Sequence, residues 1–228
     1  MTLVAFDTET TGLIAGFNEI IEIGAFVLDP ITLVPTRTKF ECKMKPNEIH
    51  RANPGVMGIK NHWDEATWDR EGLTQSVGFQ YFADWLVWVS QGSGRPMLLG
   101  HNVSFDIEFL DRGSAMYGIV LHKDYHKVDT IDTMRILKDV GGVSTQYYRL
   151  EHFAKMIGIE NPKAHGALAD AATCGLCYAL ATAYLKALVE CGRHDHETML
   201  NEAYRRCGLR RLPIVSQPLL ARPAPVLV

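Results

Sequence analysis

The chain has 228 residues, of which 47% are hydrophobic, and it carries a formal net charge of −3. This length and apolar content suit one domain with a substantial core and a terminal extension. The charge excludes nucleic-acid binding through bulk positive charge, although two bound divalent cations would reverse its sign.

The first predicted element is a short buried strand, Leu3 to Phe6, which two acids follow, Asp7 and Glu9. Side chains two residues apart on an extended backbone point to the same face. Their repulsion, about 4 kcal/mol for carboxylates about 4 Å apart at a partly buried site, predicts a neutralising cation. Because the donors are oxygen atoms, Mg²⁺ or Mn²⁺ is expected rather than Zn²⁺. A bare pair of this kind more often has Asp7 capping a turn and Glu9 in solvent, so it needs support from elsewhere in the chain.

Two further strands are predicted to pair with the first as a meander. Glu19 to Leu28 is rich in Ile, Val and Phe and ends at Asp29-Pro30. Lys39 to Lys45 alternates apolar and charged residues, which is typical of a half-exposed strand near a sheet edge. From Asn47 to Gly72 the mixed signals predict a loop-rich lobe with a short helix at His62 to Arg70.

The central part of the chain predicts helices alternating with strands. Apolar residues at helical spacing from Thr74 to Val89 indicate a helix that covers one side of the sheet. A buried strand, Met97 to Gly100, leads into a helix for which Ser104 is the expected N-cap. Strand Lys127 to Ile131 completes a βαβ unit. Further helices are predicted at Thr133 to Val140, Arg149 to Gly158 and Ala167 to Glu190. This order predicts an α/β domain, a mixed five-stranded sheet flanked by helices.

The cysteines and the end of the chain bear on its setting. Five cysteines without disulfide spacing, and no resemblance to a signal peptide before Asp7, predict a reducing cytoplasm. Cys174 and Cys177 form a CxxC in an apolar helical run, which favours packing and leaves zinc as the alternative. The longest apolar run, Leu176 to Leu185, is too short for a bilayer, so no membrane segment is predicted. Residues 191–228, rich in Arg and Pro, are predicted to form a partly irregular extension.

Acids recur at comparable places further along the chain. Asp106 lies in the first turn of a predicted helix that follows a strand, and Asp170 lies near the start of the long helix. His165 precedes Asp170 by five residues, and at about 100° per residue the two would not share a helical face. We therefore expect His165 on the entering loop, over the site. Taken singly, the acids could simply favour helix N-termini, and His165 could be a solvated loop histidine.

Together and in this order, the segments DTETTGL, GHNVSFDIEFLD and HGALAD closely resemble the three motifs of the DEDDh 3′-to-5′ exonuclease superfamily. The resemblance covers roughly Thr2 to Glu190 and implies a ribonuclease H-like exonuclease domain at residues 1–190. It implies two divalent cations, Mg²⁺ or Mn²⁺, and release of nucleoside 5′-monophosphates from a 3′ end. By motif match it assigns metal binding to Asp7, Glu9, Asp106 and Asp170, and the role of general base to His165.

The same resemblance predicts the residues that contact the terminal nucleotide. They are Thr10, Thr11, Gly12, Leu13, His101, Asn102 and Phe105. Leu13 and Phe105 would stack on the terminal base of a single strand without reading its sequence. The segment Ala52 to Ile59 resembles a family segment that ends in Gly-Ile and touches the base, which adds Met57 and Ile59. Met57 stands where the family often has histidine, which puts that base contact in doubt.

The sequence leaves three questions open. Single-stranded DNA is the preferred substrate, and RNA or a short oligonucleotide is the alternative, because the sequence does not show how the pocket treats a 2′-hydroxyl. A different class of function is a proofreading or accessory subunit that docks on a polymerase through its Pro-rich tail, with SQPLLA as a candidate docking motif. The intact set of four acids and a histidine argues against a purely structural role. The arginines at 205, 206, 210 and 211 could follow phosphates or form a solvated face.

Overall fold

Five strands and eight α-helices are seen in the computed structural model, which describes residues 1–59, 64–90, 94–121, 124–141, 148–161, 164–191 and 195–210. The strands are β1 (Leu3–Thr10), β2 (Ile20–Leu28), β3 (Pro35–Lys43), β4 (Met97–Gly100) and β5 (His126–Asp132). The helices are α1 (Pro54–Ile59), α2 (Glu65–Glu71), α3 (Gln75–Val89), α4 (Val103–Ala115), α5 (Thr133–Gly141), α6 (Leu150–Met156), α7 (Ala167–Cys191) and α8 (His196–Arg206). A 3₁₀ turn, Ile49–Arg51, precedes α1.

The strands form one mixed sheet in the order β3-β2-β1-β4-β5. β1, β2 and β3 pair as antiparallel neighbours, whereas β4 lies parallel to both β1 and β5. Parallel strands need a crossover, and α4 supplies the one between β4 and β5. The predicted α/β fold, a meander followed by a βαβ unit, is confirmed.

Alternation along β1 divides the core into two layers. Val4 and Phe6 pack with Phe79, Phe82 and Leu110 under α3 and α4. Ala5 points to the opposite face and packs with Cys174 of α7. Because successive strand residues alternate between faces, Asp7 and Glu9 lie on the α7 side and Thr8 lies on the α4 side.

Helix α7 is long and apolar enough to cross a membrane by length and composition alone. It nevertheless packs along β1 and β2, and its C-terminal half is covered by α8 through Leu200 and Tyr204. Cys174 and Cys177 are both buried in this packing. Among the residues that the structure describes, no cysteine joins a group able to hold a metal ion. The apolar composition of α7 is therefore that of a helix at the centre of a layered domain.

The structure differs from the predicted elements at several ends. β1 continues to Thr10, so Asp7 and Glu9 lie inside the strand rather than after it. Ser104 is not the N-cap of α4, and that prediction was wrong. The helix begins at Val103, and Asn102 precedes it in the left-handed region with φ 64°, a conformation that Asn tolerates better than most residues. His62, where the short helix was expected to begin, lies outside the described residues.

Arg205 and Arg206 of the C-terminal arginine cluster form ion pairs on α8. Arg205 pairs with Glu202 at 2.6 Å, and Arg206 pairs with both Glu202 and Glu190. Arg211 and the SQPLLA segment lie outside the described residues. The two paired arginines are thus engaged with acidic side chains of their own surface.

Gly24 of β2 lies against the start of α7 with no space for a side chain. A Cβ at this position would overlap the backbone of Ala167 and Leu168. We expect Gly24→Ala to lower the free energy of unfolding by about 1–3 kcal/mol, because one backbone or the other must shift. Thermal melting would measure this loss. Gly55→Ala is the matched control, since its Cβ would meet only the Asn53 side chain, and a Gly24→Ala protein as stable as this control would contradict the close approach.

Candidate active site

Three carboxylates converge where β1 meets the first turn of α7. Asp7 and Glu9 reach from the strand, Asp170 reaches from the helix, and one oxygen of each lies within 4.8 Å of the others. The donor set consists of carboxylate oxygens alone, which suits hard divalent cations such as Mg²⁺ and Mn²⁺ better than zinc. The chemistry of this cluster therefore fits the cations that the sequence predicted.

Asp106 approaches from the other face of the sheet and is not one of the three carboxylates that lie within 4.8 Å of one another. Its Oδ1 accepts hydrogen bonds from the Thr8 backbone N–H at 3.0 Å and from the Thr8 hydroxyl at 2.6 Å. The side chain is 3% exposed, and its charge acts directly on Asp7. Thr8, the residue between Asp7 and Glu9, thus holds the Asp106 carboxylate in place.

Burial raises the pKa values of three acids in the site. Burial raises the pKa of Asp7 well above its ordinary value, and the charges of Asp106, Glu9 and Asp170 raise it further. Burial also raises the pKa of Asp106 to about 7, against the hydrogen bonds from Thr8. The pKa of Asp170 is raised by burial as well. A bound cation would favour the charged forms of all these groups.

The raised pKa values make the stability of the metal-free protein depend on pH. The folded state holds the Asp7 and Asp106 protons more tightly than the unfolded chain does, so their contribution to stability falls as pH rises from about 4 towards 7. Burial lowers the pKa of His101, so the contribution of His101 to stability changes with pH in the opposite direction. The stability of a variant must therefore be compared with that of the wild type at each pH.

We expect Asp7→Asn, melted in EDTA, to be more stable than the wild type by a margin that grows between pH 5.5 and pH 8. The reason is that Asn resembles protonated Asp at low pH but lacks its buried charge at high pH. A margin that shrinks over this range would contradict the pKa directions.

His165 lies on the loop that enters α7. Its backbone is in the left-handed region with φ 67°, and its N–H donates to Asp170 Oδ2 at 3.2 Å. The imidazole Nε2 lies 3.2 Å from Glu151 Oε1 of α6. Asn161 donates a second hydrogen bond to Asp170. Strained backbone of this kind costs of order 1–3 kcal/mol and is held by its surroundings, here by the Asp170 carboxylate.

The loop after β1 combines buried threonines with exposed apolar side chains. Thr10 Oγ1 donates to the Gly12 carbonyl, and Thr11 Oγ1 accepts from the Glu19 N–H. A Cβ at Gly12 would overlap the Asn18 side chain, so the turn is tight. Leu13 stands out from it with 66% of its surface exposed. Leu13 is therefore presented to solvent by a tight, hydrogen-bonded loop a few residues from Glu9.

Other predicted nucleotide contacts have internal partners. His101 Nε2 donates to the Tyr148 carbonyl at 2.6 Å, and its Nδ1 lies 2.9 Å from the Thr133 hydroxyl. Asn102 is exposed beside the start of α4, and the ring centroid of Phe105 lies 4.7 Å from that of Phe109. His101 thus ties the loop after β4 to α5.

The two candidates of the lobe lie on α1. Met57 is 5% exposed and packs with Ile21 and Trp68. Ile59 is the last residue of α1, and its side chain is not among the described ones. Contact of either residue with a nucleotide stays a prediction.

Several residues of the site were not singled out from the sequence. Ile14 and Phe17 extend the exposed apolar surface of Leu13, and the Arg51 guanidinium lies 5.4 Å from the centre of the Phe17 ring. Glu151 became visible only through its contact with His165. Ile14 and Phe17 could have been noticed in the sequence as apolar residues inside a turn. Turn residues are seldom buried, so an apolar side chain there needs another explanation.

Comparisons with known proteins agree with the fold. The exonuclease family model RNase_T matches residues 4–178. The chain is 28% identical over 228 residues to DNA polymerase III PolC-type of Staphylococcus saprophyticus, and 24% identical over 220 residues to that of Staphylococcus aureus. Each match covers 95% of this chain and 14% of the relative, so the chain spans about one seventh of these proteins.

Solved structures share the fold at low sequence identity. E. coli exonuclease I in complex with a dT13 oligonucleotide superposes with a TM-score of 0.70 and 18% identity, over 87% of this chain and 45% of that chain. A complex of exonuclease I with SSB-Ct gives a TM-score of 0.65 and 15% identity, over 88% of this chain and 42% of that chain. The likeness extends over nearly all of the layered domain described above.

Proposed function

The chain belongs to the exonuclease family whose model it matches over residues 4–178, and on this premise we propose that it is a metal-dependent 3′-to-5′ exonuclease acting on single-stranded DNA. It would release nucleoside 5′-monophosphates. The observation that carries this proposal is the convergence of Asp7, Glu9 and Asp170 within 4.8 Å, with Asp106 hydrogen-bonded to Thr8 between Asp7 and Glu9.

Asp7, Glu9, Asp106 and Asp170 would hold the divalent cations. Two such ions, when bound, would stabilise the charge on the attacking and leaving oxygens of an in-line displacement at phosphorus. The protein contributes a rigid frame, because Asp7 and Glu9 belong to a central strand and Asp106 is anchored on Thr8. A frame of this kind holds the ligands without reorganisation during the reaction.

His165 is the proposed general base that accepts a proton from the attacking water. The backbone N–H of His165 donates to Asp170, one of the proposed cation ligands, so a hydrogen bond links the loop of the base to the proposed metal centre. The imidazole is about two-fifths exposed and paired with Glu151 of a neighbouring helix. It is accessible to a strand that enters the site.

The surface beside the centre suits the bases of a single strand. Leu13, Ile14 and Phe17 are each about half exposed or more. Apolar and aromatic side chains hold bases by stacking, which tolerates any sequence. We propose DNA rather than RNA because exonuclease I, with the same fold, was crystallised with a dT13 oligonucleotide.

Matched DNA and RNA oligonucleotides, incubated with Mg²⁺, Mn²⁺ or EDTA, test the reaction and the substrate together. We expect chromatography to show nucleoside 5′-monophosphates from DNA with either cation and none in EDTA. Faster digestion of the matched RNA would replace DNA by RNA in the proposal. Cleavage that is undiminished in EDTA would remove the metal-dependent mechanism.

Binding of Mg²⁺ or Mn²⁺ is expected to raise the melting temperature. A ligand that binds only the folded state adds about 2.7 kcal/mol at a hundredfold excess over its dissociation constant. The effect should be large here because the cation also relieves repulsion among the acids. Melting curves with Mn²⁺ and with Zn²⁺ check this. A protein indifferent to saturating Mn²⁺ but stabilised by Zn²⁺ would favour a site at Cys174 and Cys177 instead.

A second candidate function is proofreading or accessory work in a polymerase. The observation that favours it is the match to PolC-type DNA polymerases, of whose length this chain spans 14%. Docking through the Pro-rich tail would be tested by co-purification with a polymerase, which removal of residues 212–228 should abolish. Retained co-purification after this deletion would place the contact elsewhere or exclude the tail.

We further propose a reducing, cytoplasmic setting. Cys42, Cys174, Cys177 and Cys207 are all free and buried. Burial raises the pKa of the Cys42 thiol to about 12, and it raises the pKa of the Cys174 thiol as well. Such thiols are unreactive packing groups and do not depend on an oxidising compartment.

A further inference from the structure

A buried carboxylate of β2 contacts the first turn of α7. Glu22 is 8% exposed and lies opposite Glu9 on the paired strand. Its side chain shares a face of β2 with Gly24, which lies against the start of α7, and the backbone N–H groups of Ala167 and Leu168, the first two residues of α7, lower its pKa. The first N–H groups of a helix have no acceptor inside the helix. Glu22 is therefore placed to cap α7 from a different element of the fold.

The placement of this carboxylate is costly. Burial raises the pKa of Glu22, and its charge adds to the repulsion on Asp7. Two features offset the cost locally: the positive end of the α7 dipole and the nearby Lys43. A buried charge beside an acidic cluster does not favour stability. A role in positioning the start of α7 would account for it.

The start of α7 carries two members of the proposed catalytic centre. Asp170 lies in its first turn, and His165 lies two residues before it. Gly24, two residues after Glu22, lets the β2 backbone lie directly against Ala167 and Leu168. β2 thus holds the start of α7 by a close backbone contact, on the face where Glu22 lies.

We infer that Glu22 is a positioning residue, which caps α7 and thereby sets Asp170 and His165 against Asp7 and Glu9 of β1. Glu22 acts through the helix and needs no contact with a cation or with the strand. This role rests on the proposed function, since the geometry it fixes is that of the proposed cation ligands. Groups of this kind are commonly worth about 10- to 100-fold in metal affinity or activity.

Two substitutions separate the reach of the side chain from its charge. Glu22→Gln keeps the length and one acceptor oxygen but removes the charge. Glu22→Asp keeps the charge but withdraws the acceptor from α7 by one methylene. We expect Glu22→Asp to weaken Mn²⁺ binding, measured by titration calorimetry, about 10- to 100-fold and to lower kcat similarly, with KM for a DNA strand nearly unchanged. Glu22→Gln should stay within about threefold of the wild type, since it retains the cap.

Asp195→Ala is the matched control, because Asp195 caps α8 by accepting the Thr198 N–H at 3.0 Å. Losing this remote cap should lower the melting temperature and leave Mn²⁺ affinity unchanged. Wild-type Mn²⁺ affinity in both Glu22 variants would overturn the positioning role. Equal losses in both, or a loss in Glu22→Gln alone, would assign the effect to charge and overturn it too. Should Glu22→Asp fail to fold, Glu22→Gln decides alone, since a marked loss of Mn²⁺ affinity in it contradicts capping.

Mn²⁺ binding is measured without any strand present, so this test is separate from that of the proposed function. A wild-type protein that binds Mn²⁺ but digests no DNA would contradict the exonuclease proposal and leave the Glu22 comparison intact.

Discussion

Asp7→Asn is expected to lower kcat on single-stranded DNA by several orders of magnitude while the protein remains folded. Asp7 lies on a central strand and is the acid on which Glu9, Asp106 and Asp170 all act. Replacing it keeps the shape of the side chain but removes a carboxylate from the proposed cation site. An in-line displacement depends on ligands that are held in one arrangement, so little of the rate should remain.

The fold should tolerate this change because it removes one of several crowded negative charges. Strand binding should also largely survive, since stacking and phosphate contacts lie outside the acidic cluster. Steady-state kinetics, melting curves and fluorescence anisotropy with a labelled strand measure the three properties. Asp84→Asn, on the exposed surface of α3, is the control and should match the wild type. A folded Asp7→Asn protein with near wild-type kcat would remove the metal-centred mechanism.

His165→Ala should reduce kcat by about 10²- to 10⁴-fold, the usual worth of a positioned general base. Stabilisation by Mn²⁺ should persist, because no proposed cation ligand is removed. Steady-state kinetics and melting curves with Mn²⁺ measure these two properties.

His196→Ala is the control for this experiment, as His196 is exposed on α8, where it contacts Tyr184. Its rate should be that of the wild type. If His165→Ala retains the wild-type rate, another group accepts the proton. If Mn²⁺ no longer raises the melting temperature of His165→Ala, the main role of the His165 loop is to hold Asp170.

Local sequence patterns predicted the fold and the placement of Asp7 and Glu9 on one face of β1, because both follow from periodicity and chain order. The convergence of these two acids with Asp106 and Asp170 was implied by the resemblance of the three motifs to the exonuclease superfamily. Alternation along β1 places Asp7 and Glu9 on one face whatever the rest of the chain does. The βαβ pattern then brings the end of β4, and with it the start of α4, to the same edge of the sheet. These inferences need no knowledge of side-chain contacts.

The parts that the sequence could not supply depend on distant contacts. The Asn102 N–H donates to Asp132 at the end of β5. This contact joins residues 30 positions apart, so the local cap preferences that favour Ser104 could not reveal it. Glu22 and Gly24 look like ordinary strand residues until α7 is laid against them. The pairing of His165 with Glu151 likewise joins elements that only the folded chain brings together.

Digestion of one single-stranded DNA oligonucleotide, labelled either at its 3′ end or at its 5′ end, tests the central claim most directly. With Mg²⁺ or Mn²⁺ the 3′ label should appear at once as a mononucleotide, while the 5′-labelled strand shortens through a ladder of intermediates. EDTA should stop both reactions. Immediate release of the 5′ label with a ladder from the 3′-labelled strand, or internal cuts in both, would contradict a 3′-to-5′ exonuclease built on this cluster of acids.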